Sequence, residues 1–245
     1  MTTISKFTLL FLILPVFVFG QNKTFEIFGN ITGEYKGKIY LFYENQFSRK
    51  DSISTLIKNG KFYFKEKAVL PILCRFHFGG KTNVRDLYID NDRTLISLSS
   101  NITEKDTPDS LGGARTHFEI VNVKGSKTQN IIDAFETWKR RSQKTNQSAG
   151  QKASNYFGEL QSIVTKYPKS KASAYLVAGG GFLMGSRFML LNDFPLQYSQ
   201  VNELKSLLDT SLKDTYEWQN VTGLLNSLKK VDKKIIGNSF YNVIS

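Results

Sequence analysis

The single cysteine, Cys74, lies in the run Ile72-Leu73-Cys74-Arg75-Phe76-His77-Phe78. Redox or nucleophilic work needs a thiolate, and disulfide exchange of the C-x-x-C type needs a second thiol within reach. Strand alternation puts Cys74 on one face with Ile72, Phe76 and Phe78, where desolvation raises a thiol's pKa and keeps it inert. A disulfide to another molecule is the functional alternative. His77 falls on the opposite face near Arg75, and His117 stands close to Glu119. A zinc site takes three or four ligands in a set geometry, so two histidines without further ligand spacing predict surface or half-buried roles. Either could serve as the base of a hydrolase triad, but no G-x-S-x-G elbow accompanies them. Asp86, Asp90 and Asp92 cluster near a strand end and offer calcium oxygen ligands; without an EF-hand glycine pattern they are expected to be solvated turn residues.

Two glycine runs complete the chemical inventory. Gly79-Gly80-Lys81-Thr82 is similar to the end of a phosphate-binding loop, yet the first glycine of that motif would fall on Arg75 and no helix follows. It predicts a hairpin turn. Gly179-Gly180-Gly181 could admit a ligand close to the backbone, and a packing or hinge role is favoured. The expectation is therefore no catalytic residue, no cofactor-binding residue, no metal ligand and no cofactor.

The elements that would position these groups change character along the chain. From Lys23 to about Lys124 the apolar period is two, with turn residues at the spacing of a sandwich or barrel. Expected strands are Phe25 to Ile31, Lys38 to Tyr43, Ser54 to Lys58, Lys61 to Lys65, Leu70 to Phe78, Asp86 to Asp90, Thr94 to Ser99 and His117 to Val123. Asn59-Gly60 accepts the positive φ of a type I′ turn and predicts a hairpin. Ser100 to Thr116, rich in small polar residues with Pro108, predicts an exposed loop. After Gly125 the period becomes helical. Ser126 and Gln129 have capping-box spacing, and Ile131, Ile132, Phe135 and Trp138 share a face. A second helix follows Ser142 to Gln151 on Ala153, Tyr156, Phe157, Leu160, Ile163 and Val164, ended by Pro168. Further helices are expected over Lys171 to Leu191, Val201 to Leu212 and Glu217 to Lys230. The fold class is thus α+β: an N-terminal antiparallel β-sandwich or barrel-like domain followed by an all-helical domain.

Lys6 followed by the apolar run Phe7 to Phe19 has the form of a secretory signal with cleavage before Gln21, too short to span a bilayer. Residues 1–20 are assigned to it, 21–124 to the β domain, 125–236 to the helical domain and 237–245 to a tail. The expected location is the periplasm or the exterior, in soluble form. Glycines and Arg187 interrupt Ala174 to Leu191, which argues against a transmembrane helix there. The 33 Lys+Arg against 21 Asp+Glu give a formal net charge of +12. An exported basic chain meets anionic envelope polymers or headgroups, not nucleic acid, and positives spread along the whole chain predict an ordinary solvated surface.

Several stretches in order resemble one family. Phe25-Glu-Ile-Phe-Gly29-Asn-Ile31, Gly37-Lys-Ile-Tyr-Leu41, Asp51-Ser52 leading into Asn59-Gly-Lys-Phe62, and Pro71 resemble the uncharacterised N-terminal β domain that precedes the thioredoxin-like domain in exported bacterial thiol-disulfide oxidoreductases. Val123-Lys-Gly-Ser126-Lys-Thr-Gln129 resembles that family's entry to its helical linker. Tyr167-Pro-Lys-Ser170 resembles an "N-P-x-S" turn, and Ile236-Gly237-Asn-Ser-Phe240 the lead-in to the thioredoxin domain, without the proline common there. The family's C-x-x-C follows that lead-in, whereas this chain reaches Ser245 with one cysteine, so no catalytic residue carries over.

The leading expectation is an exported noncatalytic binding or accessory module whose partner is another protein or an envelope component. A fragment of an oxidoreductase whose catalytic domain is missing is the first alternative. A basic envelope-polymer binder using Lys139, Arg140, Arg141 and Lys144, or Lys229, Lys230, Lys233 and Lys234, is the second. A metal-dependent hydrolase is the third.

Overall fold

Alternation along the first strand, Lys23–Thr32 (β1), sets the architecture. Phe25, Ile27, Gly29 and Ile31 are buried, while Glu26, Phe28 and Asn30 face outward, as a sheet with one buried face requires. A computed structural model describes residues 23–33, 35, 37–44, 50–78, 82–83, 86–90, 93–103, 115–179 and 196–241, with the backbone alone for 44, 50, 82–83, 100–103, 115–118 and 231–241. The expected signal at residues 1–20 lies outside them. Strands follow at Lys38–Glu44 (β2), Lys50–Leu56 (β3), Lys61–Ala68 (β4), Ile72–Phe78 (β5), Thr82–Asn83 (β6), Leu87–Ile89 (β7), Arg93–Thr103 (β8) and Arg115–Lys124 (β9).

These strands form two sheets, one in the order β4-β1-β8-β9 and the other β3-β2-β5-β6 with β7 also on β5. Pairing is antiparallel except between β1 and β8, which run parallel with Ile27 opposite Thr94. The inward residues of both sheets make one core that includes Phe25, Ile27, Leu41, Phe64, Phe76, Phe78, Ile96 and Leu98. Phe62 packs edge-on against Phe64 and Phe76, with centroids 5.9 and 5.7 Å away. Its ring fills the place of a side chain at Gly29, where a Cβ would stand 1.8 Å from the Phe62 Cζ.

The Asn59-Gly60 turn forms as expected, with φ of 50° and 68° and paired bonds of 2.9 Å between Lys58 and Lys61. Its strands then part. β3 pairs with β2 in one sheet, and β4 pairs with β1 in the other, so the expected hairpin is a corner between sheets. The expected loop from Ser100 to Thr116 is also shorter at both ends, because Ser100–Thr103 pair with Arg115–Phe118. A register shift between Ser97 and Leu98 leaves Val121 as a bulge.

The helical half comprises Lys127–Gln143 (α1), Ala149–Lys166 (α2), Lys171–Val177 (α3), Tyr198–Leu207 (α4) and Tyr216–Tyr241 (α5). The fold is therefore α+β, a β-sandwich followed by helices. Three helices differ from expectation in their limits. α3 stops at Val177 because Gly179 turns left-handed at φ 89°. α4 begins earlier, where the Gln200 side chain accepts from the Gln197 N–H, and Leu208 leaves the helix in an extended conformation before a short 3-10 turn at Thr210–Leu212. α5 runs on to Tyr241, so Ile236–Phe240 are helical.

Three residues of β7 join the halves. Leu87 and Ile89 enter the sandwich core, and Tyr88 between them enters the helical core together with Leu73, its antiparallel partner on β5. The Tyr88 ring meets Tyr175 of α3 edge-on at 5.4 Å, and its hydroxyl donates to Glu217 Oε1 of α5 at 2.7 Å. Its backbone N–H donates to Gln129 Oε1 at 2.9 Å. The capping box is thus only half formed: Ser126 Oγ accepts from the Gln129 N–H, but the Gln129 side chain serves β7 and Asp133 instead of reaching back. Asp90 takes over the open end of α1, accepting from the N–H groups of Lys127 and Thr128 at 3.0 and 2.6 Å. Lys171 Nζ adds a bond to the Pro71 carbonyl at 2.7 Å.

Candidate interaction face

The residues singled out by chemistry are dispersed by the fold. Cys74 is fully buried, its Sγ 3.4 Å from the Leu87 carbonyl. Burial, with a smaller contribution from Asp86, pushes its thiol well above the ordinary value, which suits the expected core role. His77 is on the other face of β5, edge-on to Tyr40 and Phe42 at 6.4 and 5.9 Å. His117 pairs with Asn101 across the β8–β9 ladder; its side chain lies outside the described residues, and Glu119 is exposed opposite Ser99.

Two of the three aspartates, Asp86 and Asp90, do not act as the solvated turn residues that spacing predicts. Asp86 is held in a two-pronged ion pair by Arg75, Nε to Oδ1 at 2.5 Å and a second guanidinium nitrogen to Oδ2 at 2.9 Å. Asp90 caps α1, and Asp92 lies outside the described residues. Arginine's planar fork matches a carboxylate, but strand spacing alone gives no sign that Arg75 and Asp86 meet. Among the described residues no group of three or more His, Cys, Asp or Glu could hold a metal ion. Gly79, Gly80 and Lys81 are also outside them, though Phe78 and Thr82 pair across that segment. So are Gly180 and Gly181. No helix among the described residues is long and apolar enough to cross a membrane.

Of the basic groups, Lys139, Arg140, Arg141 and Lys144 gather at the end of α1, where cations complement the carbonyl end of a helix. Arg141 borders a groove between α1 and α2 with Trp138, Asn155 and Glu159. Lys229 and Lys230 are exposed on α5. Lys233 and Lys234 continue that helix, and their side chains lie outside the described residues.

The concentration of unsatisfied apolar surface lies elsewhere, on the outward face of β4-β1-β8-β9. Register brings side chains into cross-strand rows there. Tyr63, Phe28 and Leu95 form one row across β4, β1 and β8. The row beside it is Lys65, Glu26 and Arg93, and on the other side stand Lys61, Asn30 and Ser97. Tyr63 is 41% exposed and Leu95 44%. The Tyr63 ring lies 4.8 Å from Phe28, tilted by 44°, and the Arg93 guanidinium sits 4.6 Å over Phe28.

The ionic row fixes this arrangement. Glu26 Oε1 accepts from Lys65 Nζ at 2.8 Å and from the Tyr63 hydroxyl at 3.0 Å. These bonds, that of Lys65 first, hold the Glu26 carboxyl below its usual range. Partial desolvation, and then the bond to Glu26, raise the Tyr63 phenol. At the corner, Leu56 is 53% exposed and borders a groove of about 530 Å³ with Phe28, Thr55, Lys58, Lys61 and Tyr63.

Sequence reasoning passes over this face because Phe28 and Tyr63 read there as ordinary strand aromatics. The signal present was the parity of β1 and β4, which sets Phe28 and Tyr63 opposite to Ile27 and Phe62. On the other sheet the outward Leu73 and Tyr88 are covered by helices, while Phe42 of β2 stays 36% exposed.

No curated protein and no solved structure matches the chain. A family model does: the one described as a domain of unknown function, DUF4369, matches residues 25–132, from the first core phenylalanine of β1 through the first turns of α1, and so takes in Asp90, Ser126 and Gln129 as well as the sandwich.

Proposed function

We propose that this chain is an exported, noncatalytic binding or accessory module related to the N-terminal region of thiol-disulfide oxidoreductases. One observation carries the binding part: a row of apolar side chains is left outward on one sheet, while on the other sheet the outward Leu73 and Tyr88 are covered by helices. The relation to oxidoreductases rests on the order of motifs from Phe25 to Phe240 and is supported by the family match over 25–132. The thiol of Cys74 is desolvated and lies inside the sandwich, which fits a supporting role. Insulin-disulfide reduction by the purified chain tests the reading; none is expected, and measurable turnover overturns it. Reading the gene beyond the codon for Ser245 tests the alternative of an oxidoreductase fragment, which an in-frame C-x-x-C would establish.

A second reading, a binder of anionic envelope polymer, is favoured by the basic end of α1 beside the Trp138–Glu159 groove. Such binding is electrostatic and fades as salt shortens the screening length to a few ångströms. Affinity that survives high salt, or no affinity at low salt, removes it.

A further inference from the structure

We infer that the outward face of β4-β1-β8-β9 is a docking surface for an acidic protein segment that inserts an apolar side chain at the Leu56–Tyr63 corner. The inference rests on the binding-module reading and names the partner's chemistry. Charge is the first argument. Among the described side chains, alternation turns Lys61, Lys65, Lys67, Arg93 and Lys124 outward on this face, with Lys58 at the corner, against Glu26 and Glu119. Glu26 is already bonded to Lys65. An anionic partner meets complementary potential there, whereas a second copy of this chain would bring the same sign to it.

Shape and chemistry then decide between anionic partners. A sugar polymer stacks its rings on flat, open aromatic faces. Here the Phe28 ring is taken by the Arg93 guanidinium, and Tyr63 is tilted by 44° to Phe28. The other exposed apolar surfaces are the aliphatic Leu56 and Leu95, with Val121 at the β9 bulge. An apolar side chain loses water against such a floor, and carboxylates on either side of it reach Lys58 and Lys61, which border the same groove. Tyrosine at the centre of a basic rim is also the residue type that carries much of the energy in protein interfaces.

The test uses the full chain and a short fluorescein-labelled peptide in which one Phe and one Leu are flanked by glutamates, read by fluorescence anisotropy. Saturable binding is expected. Tyr63→Ala and Lys61→Glu, both at exposed positions, should each weaken it about tenfold, which corresponds to about 1.4 kcal/mol, with melting curves confirming that both variants are folded. Polyglutamate, heparin and phosphatidylglycerol vesicles should each bind at least about tenfold more weakly than the peptide. The inference is overturned if the peptide fails to bind, if both folded variants bind like the parent, or if any of those three probes binds as well as the peptide. Insulin reduction on the same preparation separates the two levels. Turnover there removes the noncatalytic reading, while absent turnover with absent peptide binding removes the docking inference alone.

Discussion

Removing one oxygen from the joint between the sheets and the helices tests whether it is held by specific bonds or by apolar packing alone. In Tyr88→Phe the ring stays in the helical core and keeps its edge-on contact with Tyr175. What is lost is the 2.7 Å donation to Glu217 Oε1. Glu217 is 2% exposed, and its Oε2 has no hydrogen-bond partner, so the variant leaves a buried carboxyl group with neither oxygen served by Tyr88. A bond to such a group contributes about 1.5–3 kcal/mol, and a buried acceptor left open carries its desolvation cost. The expected loss is about 2 kcal/mol in urea unfolding, or about 4–8 °C in Tm for a chain of this size. Tyr88→Ala should cost more, about 3–5 kcal/mol, because the ring goes too. A cycle with Glu217→Leu isolates the pair, with an expected coupling above about 1 kcal/mol. A Tyr88→Phe change under about 0.5 kcal/mol, or no coupling, would refute the reasoning and leave the joint to ring packing.

Three further outcomes follow from other parts of the fold. Gly29→Ala places a Cβ 1.8 Å from the buried Phe62 ring; overpacking of about 1–3 kcal/mol is expected, with Phe62→Leu in the same chain restoring part of it, and an unchanged denaturation midpoint would contradict this. Cys74 should resist iodoacetamide in the native protein through the alkaline range where an ordinary thiol reacts, because burial raises its pKa and suppresses thiolate, and it should label fully in urea. Rapid native labelling would displace it from the core. Asp90→Ala opens the Lys127 and Thr128 N–H groups at the head of α1 and should cost about 1–2 kcal/mol, visible as faster hydrogen exchange at those two amides; unchanged exchange there would mean the cap is dispensable.

Local patterns read well from sequence and long-range partnerships did not. The period of two from Phe25 onward placed most of the strands, since each local run fixes its own inward face, but β3 begins at Lys50 ahead of the expected Ser54 and the short β6 was not expected. The Asn59-Gly60 turn was legible because positive φ at both positions selects those residues. Its sheet-splitting role was not, because the separate pairings of β3 and β4 depend on β2 and β1. Gln129 had capping-box spacing, yet Tyr88 claimed its side chain, a contact between residues far apart in the chain. Arg75 and Asp86, like Leu73 and Tyr88, meet through the β5–β7 pairing, which three buried residues in β7 establish without any distinctive motif. The candidate face was hidden for a related reason, since its apolar row becomes visible only when three strands are laid in register.

The parallel pairing of β1 with β8 also bears on how the chain folds as it is made. Thr32 Oγ1 donates to the Leu98 carbonyl across a separation of 66 residues, and closing so long a loop precedes any reward from the contacts it brings. β1 can meet β4 across a shorter separation, with its β8 side still open. The arrival of β8 fills that side and brings β9 with it. Folding of the sandwich is therefore expected to be slow compared with the helices, whose contacts are more local, and an unpaired β1 edge is the stage at which a chaperone would have most to protect.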